Sequence, residues 1–200
     1  WLWILFWLFI PSNIAALLVD ETVVQWIPAL HLPGEILSAA ISVAYGVIFL
    51  LLSPVEDRYR TTGICGLIVC GINIFLGVVE LSGWYLVIAI AALIVALVGN
   101  YNEYMAHSTV LAGVNDDLSH KWEILWKWDI GTIGGIFGGL ILMLIFPILG
   151  VLSVLAATIG MVVVSIMKLI YRYRTAKLFR KILASVRDDD IRKMTGSVSA

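Results

Sequence analysis

The chain has 200 residues, of which 61% are hydrophobic and 14% charged, and its formal net charge at pH 7 is -1. Soluble domains use roughly 45–50% apolar and 25% charged residues, so this composition excludes an ordinary soluble domain. We therefore predict an all-α integral membrane protein of the cell membrane, plasma or inner, with no nucleic-acid partner.

Uncharged apolar segments occur along the whole chain, and a helix needs about 20 such residues to cross a bilayer. Pro11 predicts a kink in the first of these segments. We expect a transmembrane helix there and not a cleaved signal peptide, because no A-x-A-like site follows the apolar run. Pro147 and Gly150 divide the last long run at a predicted tight turn. The pattern predicts six transmembrane helices in three hairpins, at about 1–19, 36–53, 64–81, 85–102, 130–148 and 151–170.

The basic residues predict the orientation of these helices. Cytoplasmic loops concentrate Lys and Arg. With both termini in the cytoplasm, all 13 basic residues fall on that side, whereas an odd number of crossings would divide them. The six-span topology with both termini cytoplasmic is therefore predicted by charge as well as by hydropathy.

Small and polar residues share one face of the third predicted span. They recur at helical spacing and are Gly66, Cys70, Asn73, Gly77 and Glu80. A buried amide such as that of Asn73 needs a partner on a neighbouring helix. The second span offers Ser38, Ser42 and Tyr45 on one of its own faces. These residues predict interhelical hydrogen bonds, with a narrow polar path as the alternative, and we interpret Cys65 and Cys70 as packing residues.

The segment after the fourth span has clear helix signals. Gly113 predicts the end of one helix, and Asn115 predicts the N-cap of the next, with Asp116 and Asp117 in its first turn. The whole segment, about 103–129, is predicted to form a cytoplasmic loop with an amphipathic interfacial helix that turns into the fifth span at Asp129. Five of its side chains are predicted to anchor this helix at the headgroups: Trp122, Trp126, Trp128, Lys121 and Lys127.

Two carboxylate and histidine pairs lie in the same segment. Glu103 and His107 are four residues apart, as are Asp116 and His120. An ordinary contact within one helix explains each pair. The alternative is a divalent metal site formed by all four side chains, although neither spacing matches an established metal motif.

The fifth span carries glycines at spacing four. Gly131 and Gly135, Gly134 and Gly138, and Gly135 and Gly139 form three overlapping G-x-x-x-G pairs. Such pairs allow close approach of helix backbones. We expect packing within the bundle, with self-association into a homo-oligomer as the alternative.

The C-terminal part is basic. We predict a bundle domain over residues 1–174 and a cytoplasmic tail over 175–200, with Lys168, Arg172 and Arg174 extending to headgroups. A basic helix next to a membrane is typical of binding to anionic lipid headgroups, and a cytosolic protein partner is the alternative.

These features favour a non-catalytic protein, because no nucleophile, phosphate-binding loop or catalytic motif is present. The cofactor is unknown, with the divalent metal described above as the alternative. The predicted function is a membrane-embedded subunit or scaffold that packs through Gly-rich helices and binds lipid or a partner at its cytoplasmic face. The alternative is a small passive channel or facilitator along Asn73, Glu80, Ser38, Ser42 and Tyr45.

Overall fold

The computed structural model describes residues 1–78 and 83–198, and this part of the chain is all-helical, as predicted. A short 3-10 turn, Pro28–Leu30, follows the third helix. The helices are α1 (Leu2–Trp7), α2 (Phe9–Leu18), α3 (Glu21–Trp26), α4 (His31–Leu52), α5 (Asp57–Val78), α6 (Tyr85–Leu111), α7 (Asp116–Ile145) and α8 (Pro147–Val198).

Five helical segments of the described chain are long and apolar enough to cross a membrane. They are Pro28–Leu52, Asp57–Gly77, Tyr85–Leu111, Asp116–Ile145 and Pro147–Arg187. The N-terminal segment Leu2–Leu18 is apolar but shorter. The helices thus support the prediction of an integral membrane protein with several spans.

The long helices pack in chain order and form a ring. α4 packs on α2 and α5, α6 lies between α5 and α7, and α7 packs on α8. The ring is completed where α8 contacts α1, with the rings of Tyr173 and Trp3 5.6 Å apart. Glycines allow the close approach of α4 and α5, since a Cβ on Gly63 would lie 2.7 Å from the carbonyl oxygen of Gly46.

Three predicted helix breaks are present in the structure. The first helix is interrupted at Leu8, between α1 and α2, because Pro11 has no N–H for the carbonyl of Trp7 and its ring crowds that carbonyl. α6 ends just before Gly113, which has a φ of 77° that glycine tolerates best. α7 and α8 are separated at Phe146, directly before Pro147.

One end of the ring holds a compact aromatic and aliphatic cluster. Leu5 of α1, Phe49 of α4, Tyr59 of α5 and Ala106 of α6 are buried together there. We call this the Arg172 end, because Arg172 of α8 hydrogen-bonds to Tyr45, whose hydroxyl donates to the carbonyl of Leu5.

The predicted interfacial helix is not a separate element. Residues 116–129 form the first half of α7, which continues without a break to Ile145, and residues 103–111 belong to α6. No proline interrupts this stretch, and the hydroxyl of Thr132 hydrogen-bonds to the carbonyl of Asp129 inside the same helix. The amphipathic face packs against α6 and α8, so protein covers the surface that was assigned to headgroups.

The predicted domain boundary at 174 and 175 lies inside α8. Thr175 and Ala176 are buried against the bundle, and Leu178 and Phe179 pack beside them. The part of the tail up to Phe179 therefore belongs to the bundle, because its apolar residues share the core of α6 and α7.

Candidate functional site

Three buried ionisable side chains meet at the Arg172 end. Glu103 of α6 accepts a hydrogen bond from the ammonium of Lys168 at 2.9 Å and another from the Nη2 of Arg172. Lys168 and Arg172 are four residues apart on α8, so they lie one above the other and both reach the same carboxylate. We call these three residues the ion cluster.

The ion cluster is anchored to α4 and to the aromatic core. The Nη1 of Arg172 donates to the hydroxyl of Tyr45 at 3.5 Å, and the guanidinium lies 5.5 Å from the centre of that ring. The ammonium of Lys168 lies 4.6 Å from the centre of the Tyr104 ring. These contacts with aromatic rings stabilise the two buried cations.

His107 lies one helical turn from Glu103 and is also buried. Its Nδ1 lies 2.8 Å from the hydroxyl of Tyr59, and its ring stacks on Trp122 with 4.4 Å between centres. Its Nε2 is 4.0 Å from the Oε1 of Glu103 and has no hydrogen-bond partner. The imidazole therefore fills the space between the ion cluster and α7, and it is oriented by Tyr59.

Trp122 connects α7 to α8 behind the histidine. Its indole N–H donates to the hydroxyl of Thr175 at 3.2 Å, and its ring lies 6.0 Å from that of Tyr171. The residue is completely buried. A buried indole whose N–H is hydrogen-bonded and whose ring contacts other aromatic rings is typical of a packing residue. Trp122 thus holds His107 and Tyr171 in position.

A half-open cavity of about 320 Å³ lies beside the ion cluster, between α4, α5, α6 and α8. Its lining extends along α5 from Thr62 to Asn73, which is about 16 Å of helix. A cavity of this size has room for about ten water molecules. The lining residues are Ser42, Tyr45, Gly46, Phe49, Thr62, Cys65, Gly66, Val69, Cys70, Asn73, Ala96, Gly99, Asn100, Glu103, Lys168 and Arg172.

The cavity brings together three of the five residues predicted for a polar path. Ser42 and Tyr45 line it from α4, and Asn73 lines it from α5. Ser38 lies one turn before Ser42 and is half-buried. Glu80 lies outside the described residues.

The charged part of this site was missed from the sequence. Lys168 and Arg172 were assigned to headgroups, and Glu103 was considered as a partner of His107 or as one of four metal ligands. The available signal was a pair of equal spacings. Glu103 and His107 are four residues apart, as are Lys168 and Arg172, and both pairs lie at the ends of apolar runs that were predicted to be cytoplasmic. Nothing in the sequence showed that α6 and α8 would face each other across the ring.

The four predicted metal ligands have other contacts in the structure. Glu103 and His107 belong to the buried site, whereas Asp116 accepts a hydrogen bond from the backbone N–H of Gly113 at 2.7 Å. His120 is exposed and lies 3.6 Å from the carboxylate of Glu123. Among the described residues, no group of three or more His, Cys, Asp or Glu side chains is arranged to hold a metal ion.

The five predicted anchoring residues divide into two groups. Trp122 is buried, and Trp126 is half-buried between Tyr101 and Tyr104, at 5.4 and 5.8 Å. Trp128 is 65% exposed and Lys127 is exposed, so the headgroup contact of these two residues stays a prediction. Lys121 pairs with Asp117 on the same helix.

The cavity lining is electrostatically unbalanced. It contains two cations, Lys168 and Arg172, and one carboxylate, Glu103. The Nε of Arg172 is buried and has no hydrogen-bond partner. The arrangement is suited to holding charge and polar solutes, since two cations and a carboxylate line a space large enough to admit them.

Comparison of the chain with protein-family models, with curated proteins and with solved structures gave no match. The assignment of a function therefore depends on the cavity and the ion cluster.

Proposed function

We propose that the protein is a non-catalytic, multi-pass membrane facilitator that admits a small polar solute to the cavity and passes it through the helix ring. The observation that carries this proposal is the shared lining, in which four helices contribute polar groups from Asn73 to Arg172. Pockets with a few convergent polar groups in an otherwise apolar wall are the usual form of small-ligand sites.

The ion cluster is the reason to prefer a facilitator over a scaffold. The scaffold was favoured by a membrane interior that looked nearly apolar. Glu103, Lys168 and Arg172 instead border the cavity, and ionisable residues within transmembrane bundles commonly mark the paths of ions or substrates. In this proposal the ion cluster is the barrier at the cytoplasmic end of the path.

The proposal includes six spans with both termini in the cytoplasm of a plasma or inner membrane. Two contacts at opposite ends of the N-terminal segment support a complete first crossing. A Cβ on Gly34, near the start of α4, would lie 2.8 Å from the Cβ of Leu18, while Tyr45 hydrogen-bonds to Leu5. The N-terminal segment thus lies antiparallel to α4 over most of its length.

A liposome assay tests the facilitator directly. The full chain is reconstituted in phosphatidylcholine liposomes, and shrinking and reswelling are followed by light scattering with urea, glycerol and phosphate. We expect faster reswelling than in empty liposomes with at least one of these solutes, and loss of the difference in Asn73→Leu. The matched control is Ile74→Leu, because Ile74 is exposed beside Asn73 but does not line the cavity. Equal rates with and without protein for all three solutes would overturn the proposal.

Native thiols provide a second readout. The two cysteines of the chain, Cys65 and Cys70, both line the cavity and are free. A water-soluble methanethiosulfonate reagent should therefore modify them in the folded protein, and should do so more slowly in Asn73→Trp. Complete protection of both thiols from the aqueous reagent would show that the cavity does not exchange solute with water.

A scaffold remains a second candidate because of the glycines of α7. Gly131, Gly134 and Gly138 lie on an exposed face where an added Cβ would meet nothing within 4 Å, whereas Gly139 lies against Val154 of α8. The exposed face suits a homo-oligomer, with the basic part of α8 binding anionic headgroups or a cytosolic protein. Native mass spectrometry should then give oligomers that dissociate in Gly134→Ile. Monomers of the unmodified chain would exclude the homo-oligomer.

A further inference from the structure

We infer that the solute of this cavity carries an anionic group, a carboxylate or a phosphate, which binds between Arg172 and Lys168. This inference rests on the proposed function and deepens it by naming the class of substrate. It is drawn from the charge of the lining, from the unused N–H donors and from the size of the cavity.

The charge of the lining favours an anion. Lys168 and Arg172 contribute two positive charges and Glu103 one negative charge. A further carboxylate, Asp129 of α7, interacts electrostatically with Lys168 but is not part of the lining. His107 borders the ion cluster from the side of α7 and adds no carboxylate. A second anion at the cavity side would therefore neutralise the lining, which matters most where the effective dielectric constant is low.

The donor inventory points to the same class of ligand. A guanidinium has five N–H donors and an ammonium has three, and neither has an acceptor. The hydrogen bonds found for Lys168 and Arg172 go to Glu103 and Tyr45 and leave further N–H groups on both side chains. A planar carboxylate or a phosphate supplies the acceptors that these groups lack.

The size of the cavity limits the ligand. About 320 Å³ holds a small organic anion or inorganic phosphate together with some water, but not a diacyl lipid. The phosphate of a lipid headgroup offers the same chemistry if only the headgroup enters. The experiment therefore separates a soluble anion from a lipid source.

The test measures binding to the full chain in nanodiscs of phosphatidylcholine at constant chloride. Isothermal titration calorimetry is run with acetate and with inorganic phosphate, and we expect saturable binding of at least one. Arg172→Gln should weaken it at least about tenfold, because a charge-assisted hydrogen bond and a cation are lost. Lys168→Gln should weaken it in the same direction and carries the test if Arg172→Gln does not fold. Arg180→Gln is the matched control, since this exposed arginine on α8 lies outside the cavity lining.

Three outcomes would overturn the inference: no saturable binding of either anion, binding that is equal in Lys168→Gln and in the unmodified chain, or equal weakening in Arg180→Gln. Repeating the titration in nanodiscs with phosphatidylglycerol separates the sources. Weaker apparent phosphate binding there would assign the same site to a lipid headgroup, and unchanged binding would assign it to a soluble anion. Flux of urea or glycerol without anion binding would contradict only the anionic class of the solute. Anion binding without flux of any solute would contradict only the facilitator function.

Discussion

Trp122 and Trp128 are six residues apart on α7, yet their environments are opposite. Trp122 is fully buried and stacks on His107, whereas Trp128 is 65% exposed. Since α7 is continuous from Asp116 to Ile145, the difference comes from the direction of each side chain and not from a change of element. At the level of single residues, the tryptophans of this stretch therefore have distinct roles.

This contrast predicts a large difference in the effect of truncation. Trp122→Ala should lower the free energy of unfolding by about 3–5 kcal/mol, because it removes a buried indole and leaves a cavity. Trp128→Ala should change it by less than about 0.5 kcal/mol, as is usual for exposed positions. The measurement is an SDS titration in mixed micelles followed by circular dichroism. Similar losses in both variants would contradict the buried packing of Trp122.

Glu103 shows what residue patterns could not predict. Its spacing from His107 was visible in the sequence, and so was the spacing of Lys168 and Arg172. The ion pairs between α6 and α8, however, join Glu103 to side chains that follow it by 65 positions (Lys168) and 69 positions (Arg172). Such a contact depends on which helices are neighbours, which is decided by the packing of the entire ring. Buried charges are stable only when paired, so the ion cluster follows from that packing rather than from local sequence.

At the level of elements, local signals were sufficient to predict the connection between α6 and α7. Gly113 follows the end of α6 with a φ of 77°, and the side chain of Asn115 accepts a hydrogen bond from the N–H of Leu118 at 2.9 Å. Asp116 and Asp117 occupy the first turn of α7. All four residues were predicted correctly, because helix caps depend on groups only a few residues apart.

Replacing Gly113 tests this connection. Gly113→Ala should lower the free energy of unfolding by about 1–2 kcal/mol, because a Cβ is strained in the left-handed region. Gly71→Ala is the control, since Gly71 lies inside α5 with open space around it and has no positive φ. It should be neutral or raise the free energy of unfolding by up to about 1 kcal/mol through helix propensity. SDS titration of both variants would show whether the two changes have opposite signs, and a loss of equal size in both would contradict the strain argument.

The predicted interfacial helix was wrong for a reason that applies to amphipathic segments generally. An apolar stripe bounded by charges has the same sequence pattern whether headgroups or other helices cover it. In this chain the stripe with Leu118, Trp122 and Leu125 is buried with Tyr104 and Tyr171 of the neighbouring helices. The covering partner is set by tertiary contacts, which the periodicity of one segment does not contain.

At the level of the whole molecule, the ring places loops of unlike composition at its two ends. Val55, between α4 and α5, and Val114, between α6 and α7, belong to connections at the Arg172 end, and both are exposed. Trp26, just after Asp20 and Glu21, belongs to the opposite end and is 84% exposed. Arg58 and Arg60 lie in the first turn of α5, directly after the connection at the Arg172 end. By the positive-inside rule, the Arg172 end should therefore be cytoplasmic.

Cysteine labelling tests this orientation and counts the crossings. In a background with Cys65→Ser and Cys70→Ser, single cysteines are introduced as Val55→Cys, Val114→Cys, Trp26→Cys and Trp1→Cys. With an impermeant maleimide, we expect Trp26→Cys to react in intact cells and Val55→Cys and Val114→Cys to react only in inside-out vesicles, because moving basic loops across the membrane is disfavoured.

Trp1→Cys decides between five and six crossings. Leu2–Leu18 has 17 residues, which span about 25 Å as a helix, somewhat less than a hydrocarbon layer of about 30 Å. Its antiparallel contacts with α4 favour a complete crossing, helped by local thinning of the bilayer. Trp1→Cys should therefore react together with Val114→Cys in inside-out vesicles. Reaction of Trp1→Cys in intact cells together with Trp26→Cys would mean that the N-terminal segment does not cross the membrane. α1 and α2 would then lie outside the bilayer.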